Sequence, residues 1–242
     1  MKPLVIAHRG ASGMAPENTL KAFRLAAEQG SDGIELDFML SLDGIVVITH
    51  DENLKRLTGH DIETRRTTLS SLKELDFGEG EKIPTLDEMF QEFSKKFLVI
   101  NVEIKSTGYR TDGIEKALIN VIDKHQLREK ILVSSFNPLH LLRMKKLAPD
   151  IKRGYLIYER PWLAQRTFWI KGIKATSVNL SAEWCEEMRR FEKYKKLAPQ
   201  TWVWTVNDEH EMKKWIDRGV NAIITNYPSR LRKILANVST VC

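Results

Sequence analysis

Short apolar runs alternate along this chain with segments whose apolar positions recur every three or four residues. The runs at 4–8, 33–40, 98–104, 131–135, 153–157, 175–180, 201–206 and 221–225 are rich in Val and Ile. They are continuous rather than strictly alternating, as suits strands covered on both faces in a parallel sheet. Helical spacing fills the intervals at 19–29, 85–96, 112–125, 138–147, 162–171, 184–197, 208–218 and 228–237. Local signals agree with that division. Thr85-Leu-Asp-Glu88 reads as a capping box ahead of Met89 and Phe90, and Asn18 and Thr19 precede Leu20. Pro138 and Pro228 stand where a first helical turn tolerates proline, and Gly30 and Gly219 each follow a helix. Eight strand–helix units in 242 residues predict an α/β chain folded as a TIM (β/α)8 barrel. An open doubly wound sheet has the same alternation and is the alternative.

Residues 41–84 break the pattern. They hold one short apolar run, 45–49, and then a polar stretch with Gly59, Gly78 and Gly80. So little apolar content does not make an independent core. The segment is therefore expected to be a small insertion after the second barrel strand, on the catalytic face of a single domain spanning 1–242. No internal repeat, low-complexity tract or interdomain linker interrupts the chain.

Composition changes this picture little. With 42% hydrophobic and 29% charged residues the chain is neither disordered nor collagen-like. A net charge of +6 favours anionic partners, but the charge is spread along the chain, so no nucleic-acid patch is predicted. The run Arg189–Lys196 reads as a solvated helix face. Cys185 and Cys242 read as free thiols in a reducing compartment, not as a disulfide framework. No run approaches the ~18 apolar residues of a membrane span, and Leu4–Ala7 is too short for a signal-peptide core. The chain is expected to be soluble and cytoplasmic, without stable membrane insertion; a homo-oligomer is compatible with all of this. Trp162, Phe168 and Trp169, mixed with cations in 158–174, fit an ordinary barrel helix with one buried aromatic face, or else contact with a lipid-like group.

The chemistry-bearing residues gather at strand ends. His8-Arg9 closes the first run, Glu35 and Asp37 lie in the second, His50-Asp51 follows 45–49, and Glu103 and Lys105 end the run that starts at 98. Such groups are costly to bury unless paired or bound to a metal. Residues i and i+2 of a strand share a face about 6.6 Å apart. Glu35 therefore stands with Asp37, and Glu103 with Lys105. At the C-terminal mouth of a barrel, three converging carboxylates make a hard-oxygen site suited to one divalent cation, Mg2+ or Ca2+. Structural ion pairs with Arg9 and Lys105 are the bland alternative. His8 and His50 could serve as base and acid, and Arg9 could clamp phosphate oxygens. His60, His125, His140 and His210 lack a clustered partner in the sequence and read as structural or surface residues. No nucleophile elbow, Walker loop or zinc spacing is present.

Taken in order, these residues resemble the glycerophosphodiester phosphodiesterase family. The resemblance is carried by Ala7-His-Arg-Gly-Ala-Ser-Gly, Ala15-Pro-Glu-Asn-Thr19, Asp32-Gly-Ile-Glu-Leu-Asp37 and Asp43-Gly-Ile-Val-Val-Ile-Thr-His-Asp51. Ile83-Pro-Thr-Leu-Asp-Glu88, Asn101-Val-Glu-Ile-Lys105, Val133-Ser-Ser-Phe136, Val203-Trp-Thr-Val-Asn207 and Ile223-Ile-Thr225 extend it over nearly the whole chain. The resemblance implies a TIM barrel that hydrolyses glycerophosphodiesters to sn-glycerol 3-phosphate and an alcohol. It also implies that Glu35, Asp37 and Glu103 hold the metal and that His8 and His50 are general base and acid in an order left open. Arg9 would bind phosphate, Lys105 would lend positive charge, and Trp204 would stack on glycerol at the mouth; barrel core is the bland reading of Trp204. In the family the substrate's own glycerol hydroxyl is taken to be the nucleophile, so no protein nucleophile is needed. Two positions depart from the family pattern: Asn226 where an Asp is common, and Leu57-Thr58 where Thr-Thr is often seen. Both are expected to lie clear of the catalytic set. Asn18 is expected to cap the helix that follows it or to reach the site. A lysophospholipase D-like activity and a catalytically dead binding barrel are the rival functions.

Overall fold

The computed structural model describes residues 2–105, 112–158 and 167–237. Strands β1 (Leu4–His8), β2 (Gly33–Leu40), β3 (Val46–Ile48), β4 (Val99–Ile104) and β5 (Ile131–Ser135) fall on the first apolar runs. They are followed by β6 (Lys152–Ile157), β7 (Ser177–Ser181), β8 (Gln200–Trp204) and β9 (Ala222–Thr225). The helices are α1 (Leu20–Glu28), α2 (Lys55–Thr58), α3 (Leu69–Glu74), α4 (Leu86–Phe93), α5 (Ile114–Lys124) and α6 (Pro138–Leu147). After them come α7 (Phe168–Ile173), α8 (Met188–Lys195), α9 (Glu209–Asp217) and α10 (Pro228–Asn237).

Strand pairing decides between the two predicted architectures. The sheet runs β1-β9-β8-β7-β6-β5-β4-β2, and β1 also pairs with β2, so these strands close on themselves. Every pairing within that ring is parallel. This is a TIM barrel, not an open sheet. β3 lies outside the ring, antiparallel to the C-terminal end of β2 from Phe38 to Leu40.

Alternation along each strand makes two layers. Outward residues such as Val5, Ala7, Ile34, Leu36, Ile100, Val102, Val178 and Val203 join Phe23, Phe90, Leu118, Leu141 and Trp215 of the helices in one large core. Inward residues Ile6, Leu132, Trp202, Ala222 and Ile224 fill the lower barrel. The inward series changes character toward the C-terminal end: β1 runs Leu4, Ile6, His8, and β4 runs Val99, Asn101, Glu103. The apolar plug below and the polar mouth above are thus written at successive alternate positions of the same strands.

Residues 41–84 are an insertion after β2, holding β3, α2 and α3. Val47, Leu54, Leu72, Phe77 and Ile83 form a small cluster of their own beneath it. The capping box at Thr85 is present, with its side chain and Glu88 satisfying each other's backbone.

Element ends shift by a few residues. The helix read from 184 begins at Met188, because Trp184 and Cys185 belong to the turn after β7, where Cys185 is buried. α7 begins at Phe168; Trp162 and Cys242 lie outside the described residues. In α8, Phe191 and Tyr194 are buried while its charges face outward, as a solvated helix face requires. No described helix is long and apolar enough to cross a membrane.

Candidate active site

Register assembles the site. In the closed ring His8 lies beside Glu35, and Asp37 lies beside Glu103. Glu35, Asp37 and Glu103 are 4%, 1% and 7% exposed, and one oxygen from each lies within 4.8 Å of the others. Lys105, just past β4, places Nζ 2.7 Å from Glu103 Oε1 and 3.3 Å from Asp37 Oδ1. Arg9 places Nε 3.0 Å from Asp37 Oδ2 and donates from Nη1 to Glu17 Oε1 at 3.0 Å.

Local backbone fixes the turn that carries Arg9. Arg9 and Gly10 both have positive φ, at 55° and 83°. A Cβ on Gly10 would meet the backbone carbonyl carbon of Ala22 at 2.7 Å, so only glycine lets this turn lie against α1.

Both histidines are oriented through Nδ1. His50, on the loop after β3, donates to Asp51 Oδ1 at 2.6 Å. His8 donates to Asn226 Oδ1 at 2.7 Å. An amide oxygen only accepts, so the proton sits on Nδ1 and the Nε2 lone pair of His8 is left toward the site, 4.0 Å from Glu35 Oε2.

The charges are unevenly balanced. Burial, with Asp37 and Glu103 close by, holds the Glu35 carboxyl well above the usual carboxylate range. Burial also pushes Glu103 up to about 7 despite Lys105. Burial opposes ionisation of Asp37 too, but Lys105 and Arg9 outweigh it and hold that group below the usual range. Burial, reinforced by Arg9, depresses His8 to about 4, and burial lowers His50. Two cations thus leave three clustered carboxylates under-compensated. Asp37 Oδ1 and Glu103 Oε1 have no partner besides Lys105. A hard divalent cation fits this donor set, which is all oxygen.

These groups line one cavity of about 590 Å3, with His8, Arg9, Glu35, His50, Glu103 and Lys105 on its polar side. The other wall is apolar: Phe136, Leu156, Ile157, Tyr158, Trp204 and Ile224. Trp204 sits in both settings offered by its sequence. It packs on the interior cluster around Trp202 and also lines the cavity, edge-on to Phe136 at 5.5 Å.

Three sequence expectations need correction, for Asn226, His125 and His140, and the structure decides between the two readings of Asn18. Asn226 touches His8 directly, so that departure from the family pattern is not clear of the site. Asn18 does not cap α1; Thr19 does, accepting from the amide of Ala22. Asn18, at φ 59°, instead donates to Asp37 Oδ2 at 3.0 Å. His125 and His140 do have partners, Asp87 at 2.8 Å and Glu115 at 2.7 Å, and His140 is fully buried. They remain outside the cavity. Barrel closure could have revealed Asn226, because the end of the last strand must lie beside the end of the first.

The sequence profile of the glycerophosphoryl diester phosphodiesterase family matches residues 8–230. The chain belongs to that family. It is 39% identical to a glycerophosphodiester phosphodiesterase of Caldanaerobacter subterraneus subsp. tengcongensis, over 96% of this chain and 97% of that one. Among solved structures it resembles an Oleispira antarctica phosphodiesterase in complex with the product sn-glycerol-3-phosphate, with 33% identity and a TM-score of 0.86 over 97% of each chain. A glycerophosphodiester phosphodiesterase from Thermotoga maritima aligns with 33% identity and a TM-score of 0.80, covering 97% of this chain and 99% of that one. As a member of the family, the chain is a phosphoric diester hydrolase.

Proposed function

We propose that this glycerophosphodiester phosphodiesterase depends on one divalent cation, Mg2+ or Ca2+, and moves its protons through His8 and His50. The observation that carries the reading is the convergence of Glu35, Asp37 and Glu103 within 4.8 Å, with Glu35 and Glu103 lining the cavity that also holds both histidines and Arg9. Those three carboxylates would hold the cation, which when bound supplies Lewis-acid polarisation of a phosphoryl oxygen.

The remaining work falls to side chains of this chain. Attack on a phosphodiester adds negative charge, and Arg9 and Lys105 are fixed cations placed beforehand where it develops. One imidazole takes the proton of the attacking hydroxyl and the other gives a proton to the leaving alkoxide, each through Nε2. Burial depresses His8 to about 4 and lowers His50, so a neutral imidazole is available at pH 7 as the base, while the imidazole that acts as acid must carry a second proton, on Nε2, when it meets the leaving alkoxide. Trp204 offers an apolar face to the carbons of glycerol. The product bound by the Oleispira antarctica enzyme supports a small glycerophosphodiester as substrate, and the reading places the enzyme in the cytoplasm as a single barrel domain.

The test is turnover of glycerophosphocholine, followed as sn-glycerol 3-phosphate, beside turnover of lysophosphatidylcholine. Release of sn-glycerol 3-phosphate with added Mg2+ or Ca2+ is expected. Turnover of only the acylated diester would replace this reading with a lysophospholipase D, for which the exposed Phe136 and Tyr158 on the apolar wall give room. Turnover of neither would favour a binding barrel.

A further inference from the structure

We propose that Arg56, on the insertion, is a positioning residue that holds His50 and Arg9 in one fixed arrangement. Its guanidinium bridges two carboxylates. Nε donates to Asp51 Oδ2 at 2.6 Å, Nη2 to Glu17 Oε1 at 2.7 Å and Nη1 to Glu17 Oε2 at 3.1 Å. Each carboxylate also holds a group of the cavity. Asp51 accepts from His50 Nδ1 at 2.6 Å, and Glu17 accepts from Arg9 Nη1 at 3.0 Å. Arg9 in turn approaches Asp37 Oδ2 at 3.0 Å. The chain of contacts is unbroken from His50 through Asp51, Arg56, Glu17 and Arg9 to Asp37.

In exposure Arg56 is like any surface ion-pair partner, and two features separate it from one. Arg56 is about half exposed, its side chain at 52%, so its pairs add little to folding stability. Its planar fork meets Glu17 with two donors and Asp51 with a third, and a lysine ammonium cannot reproduce that geometry. Its two partners come from different parts of the chain: Glu17 from the loop after β1 and Asp51 from the loop after β3. Arg56 therefore ties the insertion to the barrel at the two side chains that orient His50 and Arg9. Without it, Asp51 and Glu17 turn toward water, and the imidazole and guanidinium they hold lose their fixed angles. Small misplacements of reacting groups are costly, with about 100-fold in rate for about 1 Å as the scale.

The inference rests on the reading that His50 and Arg9 act in the reaction, and the test separates the two. Arg56→Ala and Arg56→Lys would be compared with wild type and His50→Ala in glycerophosphocholine hydrolysis, thermal melting and proton–nitrogen NMR of the imidazoles. Arg56→Ala is expected to lose roughly 10- to 100-fold in kcat, with its melting temperature almost unchanged. The Nδ1 proton resonance of His50, assigned by its absence in His50→Ala, is expected to broaden or vanish in Arg56→Ala. Added guanidinium ion is expected to restore part of the rate to Arg56→Ala, and Arg56→Lys to stay impaired. A kcat within about twofold of wild type in Arg56→Ala, or an unchanged His50 proton resonance, overturns the inference. If His50→Ala is itself fully active, the proposed catalytic role of His50 fails, whereas the NMR arm still reports whether Arg56 orients the ring.

Discussion

Replacing Glu103 with Gln should stabilise the cation-free protein at pH 8 while removing its activity. Glu103 is 7% exposed and sits beside Asp37 and Glu35, and burial pushes its carboxyl from an ordinary 4.5 up to about 7. Between those values the unfolded chain gives up its proton while the folded chain keeps it. Stability therefore falls as pH rises through this window, by about 1.4 kcal/mol per pH unit. Over the whole window the loss is on the order of 3 kcal/mol and is complete above pH 7. Glutamine imitates the protonated acid at every pH, so Glu103→Gln escapes that loss. For a chain of this size each kcal/mol moves the melting temperature by roughly 2–4 °C, giving a gain of roughly 6–12 °C at pH 8. The assay is thermal melting of both proteins in excess chelator at pH 4.5 and pH 8. The two should melt together at pH 4.5 and separate at pH 8. A Glu103→Gln protein less stable than wild type at pH 8, or offset equally at both pH values, would refute the reasoning.

His8→Ala and His50→Ala should each lose about 100-fold or more in turnover while keeping a native circular dichroism spectrum; a near-wild-type rate in either removes that residue from the mechanism. Cys185 is buried and its thiol is pushed up to about 12 by that burial. In a Cys242→Ser background it should resist a thiol reagent at pH 8 until the protein is unfolded. Rapid labelling of the native protein would show that the turn after β7 opens.

Much of this was legible from residue order, for identifiable reasons. Parallel strands buried on both faces are written as continuous Val/Ile/Leu runs, so β1 and β5 stand out in the chain. Two-residue alternation placed Glu35 with Asp37 and Glu103 with Lys105 before any pairing was known. Contacts made by closure are not written in any local pattern and become legible only once the barrel is closed. Asn226 and His8 are separated by 218 positions and meet only because β9 pairs with β1. Asn18 carries a capping signal as good as that of Thr19, and a left-handed backbone at Asn18, which no pattern announces, turns its amide onto Asp37. Arg56 is one basic residue in a polar stretch, and its value as a bridge exists only when the insertion folds back over the loop after β1. The same holds for His140, whose partner Glu115 belongs to the preceding helix.

The central claim is that Glu35, Asp37 and Glu103 hold one divalent cation on which hydrolysis depends. Calorimetric titration of chelator-stripped protein with Ca2+ or Mg2+, with release of sn-glycerol 3-phosphate measured at each addition, tests it most directly. The account predicts one site per chain, activity that rises in step with its occupancy, and loss of both in Asp37→Asn. Full activity in the stripped protein, or unchanged binding in Asp37→Asn, would contradict it.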